Sequence, residues 1–129
     1  MFDKSDIVHS YTRDEAIQDG VLVDLSHAAQ QAGFTIPLAL TARVFSECVY
    51  WPETEPAIQD ETGRQWDVLY MAAAAARSAA RRGQGGRINF ELFVVPRGSR
   101  TPRLTTLSLH IGPGDQAEPV ATILTPDEN

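Results

Sequence analysis

Apolar and polar positions follow two rhythms along this chain, and the change falls near residue 87. Beyond it the period is two. In RINFELFVV, residues 87–95, Ile88, Phe90, Leu92 and Val94 share one side, while Asn89 and Glu91 lie on the other. RLTTLSLHI sets Leu107, Leu109 and Ile111 against Thr106, Ser108 and His110. EPVATILTP supplies a third such run. The intervening PRGSRTP and GPGDQAEP are turn chemistry at hairpin spacing. Together these runs predict a three-stranded antiparallel meander.

Before residue 87 the apolar spacing is mostly helical. Ser10 or Thr12 can cap a short first helix through Glu15 to Gln18, stopped by Gly20. VLVDL, residues 21–25, alternates like a strand but reads equally as an extended linker. Ser26 suits the N-cap of a second short helix that Gly33 ends. In IPLALTARVFSECVYW, Pro37 fits a first helical turn, and Leu40, Val44, Cys48 and Trp51 recur at helical spacing. Pro52 closes that helix, and PETEPAIQDETG follows as a solvated loop. Thr62 and Gln65 have capping-box spacing. They announce a longer helix whose Trp66, Leu69, Tyr70, Ala73 and Ala76 share a face, and which Gly83, Gly85 and Gly86 terminate.

The expected fold is therefore α+β. N-terminal helices pack on the C-terminal meander, and residues 21–25 are available as a fourth strand. The 129 residues suit a single domain, 1–129, with an N-terminal arm over 1–10 and a fraying tail over 125–129. An open sheet needs its edges covered or paired, so a homodimer through a strand edge, or edge pairing with a partner, is an expected assembly.

Charge divides the chain. Residues 1–61 hold eleven acidic against three basic residues, and residues 62–129 hold six acidic against eight arginines. The net charge of −6 argues against direct nucleic-acid binding, because a phosphate backbone demands positive surface. One cysteine, Cys48, precludes an intrachain disulfide and fits a cytoplasmic setting. No apolar run approaches the length of a membrane span.

The sequence carries no CxxC, HExxH, GxxxxGK[ST] or GxSxG, so no metal, cofactor or catalytic residue is assigned and the reading leans away from an enzyme. GQGG at 83–86 lies between a helix and a strand, the reverse of the order a dinucleotide loop requires. The arginines Arg81, Arg82, Arg87, Arg97, Arg100 and Arg103 form a basic group suited to bidentate contact with carboxylate or phosphate. Asp14, Glu15, Asp19 and Asp24 form an acidic one. Both are candidate partner-binding surfaces. Tyr11, Arg13, His110 and Asp115 are weaker candidates for a ligand site, since a His–Asp pair can orient a general base.

The segments YTRDEAIQDGVLVD, QWDVLYMA and LHIGPGD…EPVATIL resemble a small family of unknown function carried on bacterial plasmids, phages and related mobile elements. The likeness spans Tyr11 to Leu124. It carries over no activity, cofactor or catalytic residue. It implies a bacterial cytoplasmic setting and an accessory role, with a protein partner such as a host defence complex, as for anti-CRISPR or anti-restriction inhibitors. The function expected is a non-catalytic protein-binding module. Its alternative is a small enzyme or phosphate-ligand domain built on the arginine-rich loops and His110.

Overall fold

A computed structural model describes residues 11–129. The N-terminal arm, with Ser10, lies outside the described residues. Helix α1, Arg13–Gln18, starts at Thr12. The Thr12 hydroxyl accepts from the Glu15 N–H, and the Glu15 carboxylate accepts from the Thr12 N–H, each at 3.0 Å. Those two bonds satisfy amides that a short helix otherwise leaves open. Strand β1, Leu22–Asp24, realises the extended reading of VLVDL. Helix α2, Ser26–Ala32, ends on Gly33, whose left-handed φ of 108° disfavours any side chain. Ser26 opens this helix without capping it. Its hydroxyl instead accepts from the Leu38 N–H at 3.0 Å and donates to Asp24 at 2.6 Å, tying α2 to the sheet.

The helix expected over 37–51 is the main correction. Leu38–Thr41 is strand β2, and only then does the chain turn helical, in α3, Ala42–Val44, continued by a π-turn over Phe45–Val49. Leu38, Ala39 and Leu40 are all fully buried. A strand covered on both faces shows no alternation, so its apolar run mimics a buried helix. Thr41 ends the strand and caps α3, its hydroxyl accepting from the Val44 N–H at 3.2 Å.

Helix α4, Glu61–Arg81, begins two residues earlier than the Thr62–Gln65 spacing suggests. Its N-cap is Asp60, whose carboxylate accepts from the Gly63 N–H at 2.6 Å. Its buried stripe is Arg64, Val68, Leu69, Ala72, Ala73 and Ala79; Tyr70, expected inside, is 54% exposed and stacks on Trp66. The meander follows as β3, Arg87–Val94, β4, Arg103–Pro113, and β5, Pro119–Leu124.

The α+β class stands, but the sheet is larger than a meander. It has five strands in the order β1-β2-β5-β4-β3. All neighbours are antiparallel except β2 and β5, which run parallel with Leu38 opposite Ala121 and Leu40 opposite Ile123. Leu38, Leu40, Ala121, Ile123, Leu107, Leu109, Phe90 and Leu92 form the inner face, and the buried side of α4 packs against it. Small alanines on that side let the helix lie close to the sheet.

Arg64 is a charged side chain inside this core. It is 3% exposed and donates to three backbone carbonyls, Val49 at 3.0 Å, Val95 at 2.6 Å and Glu47 at 3.2 Å. Its guanidinium also lies 4.7 Å from the centre of the Trp51 ring. One side chain thus caps the π-turn and pins it to the end of β3. Burial lowers the Arg64 pKa, although an arginine remains charged regardless. No described helix is long and apolar enough to cross a membrane.

Candidate functional site

The inner face of the sheet is core, so any site on the sheet falls to the outer face and the edges. Strand register fixes what stands there. Asp24, Ala39, Thr122, His110 and Arg87 form one row across all five strands. Farther along β3 and β4, Asn89 faces Ser108, Glu91 faces Thr106, and Phe93 faces Leu104.

Helix α1 covers one end of this face. Its Arg13 guanidinium donates to Thr122 Oγ1 and to the Ala121 carbonyl, both at 2.7 Å. Asp115, on the β4–β5 turn, accepts from the backbone N–H groups of Arg13 and Asp14 at 2.8 and 3.1 Å. Both carboxylate oxygens therefore hold the start of α1. Among the described residues no hydrogen bond joins Asp115 to His110. The remaining acids have local duties. Asp14 accepts from Gln18, Glu15 completes the cap with Thr12, Asp19 accepts the Tyr11 hydroxyl at 2.7 Å, and Asp24 accepts from Ser26. The Asp19 carboxylate raises the Tyr11 pKa by favouring its protonated hydroxyl. Burial lowers the pKa of Arg13.

The residues after β5 pass along the same face. Thr125 and Glu128 close a turn, and the Glu128 carboxylate accepts from the Thr41 hydroxyl and the Thr125 N–H at 2.8 Å each. Arg87 donates from Nη2 to the carbonyls of Thr125, Pro126 and Glu128. Arg43 pairs with Asp127 at 2.8 Å and with Glu47 at 3.1 Å. Hydrogen bonds from Thr125 and then Arg43 hold the Asp127 carboxyl at about 2. Between this segment and β1 lies an open groove of about 750 Å³ whose lining includes His110, Arg87, Arg43 and Thr122. The His110 ring lies over Gly112, where an added Cβ would sit 2.8 Å from Cε1. The two arginines of the groove already serve carbonyls and carboxylates of the chain itself. No nucleophile–base pair is formed there.

The basic residues are split along the sheet. Arg81 and Arg82 end α4, and Arg87 opens β3. Arg97 and Arg100 lie in the turn at the far end of the β3–β4 hairpin and Arg103 opens β4 beside it, about 23 Å away for a strand of this length. Arg82 donates to Ser78 and Gln84. Arg97 donates to the Ser46 and Tyr50 carbonyls, 5.3 Å from the centre of the Tyr50 ring. Cys48 is buried on the core side, and desolvation pushes its thiol up to about 11. Among the described residues no cluster of His, Cys, Asp and Glu is arranged to hold a metal ion.

What lies between the two arginine groups is the free edge of β3. Among the described residues β4 is its sole strand neighbour. The Ile111 N–H donates to the Gly86 carbonyl at 2.8 Å, so Gly86 and Ile111 are a hydrogen-bonded pair. Stepping by two, the backbone groups of Ile88, Phe90, Leu92 and Val94 face β4, and those of Arg87, Asn89, Glu91 and Phe93 face outward. The outer side of this edge ends in the most exposed large apolar pair of the sheet, Phe93 at 67% and Leu104 at 53%. The regular part of the alternation, Ile88 to Leu92, does not distinguish this edge strand from an interior one. The signal was Phe93, an aromatic on the polar side of the alternation.

A family model of unknown function, DUF6573, matches residues 1–129. The chain belongs to that family. No curated protein and no solved structure matches this DUF6573 chain. The features that bear on its function are therefore its own: an engaged groove, divided arginines and an open β3 edge.

Proposed function

We propose that the chain is a non-catalytic protein-binding module that receives an extended segment of its partner on the free edge of β3. The observation that carries this reading is the edge itself. Arg87–Val94 is a strand of eight residues with no proline and no charge on its inner side, and it ends beside exposed Phe93 and Leu104. Natural sheets blunt such an edge with prolines, bulges or inward charges unless it serves to pair. Backbone hydrogen bonds would supply affinity, and alternate side chains would supply specificity. The phosphate-ligand alternative is less favoured, because Arg43, Arg87 and Asp115 already have partners within the chain.

Within the setting that the resemblance implies, the partner is a bacterial protein and the specific proposal is inhibition of a host defence complex. Asn89→Pro removes an outward N–H and leaves the β4 ladder intact. The wild-type chain is expected to retain a protein partner, its own copies included, that folded Asn89→Pro loses. A folded Asn89→Pro that retains every partner of the wild type would refute the reading.

A further inference from the structure

The outward side of β3 is complementary to itself, and we propose that its partner is a second copy of this chain, paired antiparallel about Asn89. This rests on the strand-addition reading above and names the occupant of that edge. A two-fold axis perpendicular to the sheet sets outer residues opposite outer residues. It also requires that the outward-facing backbone groups of Arg87, Asn89, Glu91 and Phe93 bond to one another. An axis at Glu91 would oppose two like charges. An axis at Phe90 would set Arg87 opposite Phe93 and Asn89 opposite Glu91. An axis at Asn89 sets Arg87 opposite Glu91 twice, once on each side of the axis, and opposite charges on facing strand positions attract.

The same axis brings Phe93 of each copy to the Gly85 position of the other. There an open groove of about 460 Å³ is lined by Arg82, Gln84, Gly85, Arg87, Ile88 and Asn89. Gly85 has nothing within 4 Å of where a Cβ would stand. The most exposed aromatic of the sheet thus meets open space lined by Arg82 and Arg87, and an arginine side chain favours an aromatic face. Arg87 binds the segment after β5 through Nη2 alone, and pairing with Glu91 across the free edge requires its guanidinium to turn from that segment toward the second copy. Asn89 would lie beside its own symmetry mate, at the Cα separation of about 5.5 Å typical of a hydrogen-bonded pair.

The test uses the purified full chain. Sedimentation across a concentration series is expected to show a monomer–dimer equilibrium. Arg87→Glu and Glu91→Arg should each weaken the dimer roughly tenfold, from two like-charge contacts replacing two opposite ones. The double variant should restore it. Asn89→Cys should form a disulfide-linked dimer on mild oxidation, while buried Cys48 does not react. Circular dichroism confirms that each variant is folded. A chain that stays monomeric at all concentrations overturns the proposal. So does a dimer indifferent to the charge swap or lacking the Asn89→Cys cross-link. If the chain is monomeric yet Asn89→Pro still abolishes binding of a different protein, the strand-addition reading survives while the second copy is excluded. If neither is seen, both fall.

Discussion

Removing the guanidinium of Arg64 probes the joint between the two halves of the fold. Arg64→Met keeps the stem and deletes the head, so the packing of the chain is largely preserved. The head donates three hydrogen bonds, at 2.6 to 3.2 Å, to carbonyls of Glu47, Val49 and Val95 and lies against Trp51. A hydrogen bond from a charged donor contributes about 1.5–3 kcal/mol. Against the gross sum stands the cost of holding a charge in the core, which the variant relieves. The balance is a loss of about 3 kcal/mol, and a chain of this length should then melt roughly 10–15 °C lower. Arg64→Lys retains the charge but cannot reach three carbonyls from one point, so it should fall between. Thermal and urea unfolding followed by tryptophan fluorescence and by circular dichroism gives both values. A melting point for Arg64→Met within about 3 °C of the wild type, a shift that corresponds to under 1 kcal/mol, would refute the assigned role.

Other perturbations test other parts of the molecule. Ala73→Leu should overpack the contact between α4 and the sheet and cost about 1–3 kcal/mol, read as a lower melting point. Asp115→Ala removes the acceptor for two α1 amides and should cost about 1 kcal/mol, with faster amide exchange at Arg13 and Asp14 while the meander is unaffected. Cys48, with its thiol at about 11, should resist a thiol reagent at neutral pH until urea unfolds the chain; rapid labelling of the folded protein would contradict its burial. The Asp127 carboxyl sits at about 2, below its value in an unfolded chain near 3.9. Its stabilising contribution is therefore complete above about pH 4 and is lost as pH falls through about 2. Protection of the Glu128 amide, taken relative to its intrinsic exchange rate at each pH, should fall over that interval, and Asp127→Asn should abolish the dependence.

β3 and β4 were legible because each has a largely wet outer face, so alternation survives in the sequence, whereas β5 is covered on both faces and was read from the turn residues before it. Thr12 with Glu15, and Gly33, were legible because caps are local. β2 was hidden because both of its faces are covered, and Leu38, Ala39 and Leu40 carry no period to read. Its parallel partnership with β5 joins segments some eighty residues apart, a relation no short window contains. Arg64 was hidden for another reason. An arginine in the first turns of a helix usually projects into solvent, and its acceptors here are backbone carbonyls, which leave no complementary residue to notice. At the candidate site, residue types were visible but their commitments were not. Asp115 and His110 are near in sequence, yet Asp115 turns to α1. The arginines cluster in sequence because a hairpin strand carries them, and that strand holds the two groups apart.

The central place of β5 also orders the folding of the chain. It is the last of the described strands to leave the ribosome and it lies between β2 and β4, so the β1–β2 pair and the β3–β4 hairpin have no shared strand neighbour until it arrives. Before that, β2 and β4 both present open edges, and closure must await long-range pairing of the slow kind. A ribosome stalled short of Pro119 would hold a β1–β2 pair and a β3–β4 hairpin not yet joined in one sheet, each with an edge that β5 would otherwise occupy. Synthesis of β5 is thus the step that turns two local structures into one sheet.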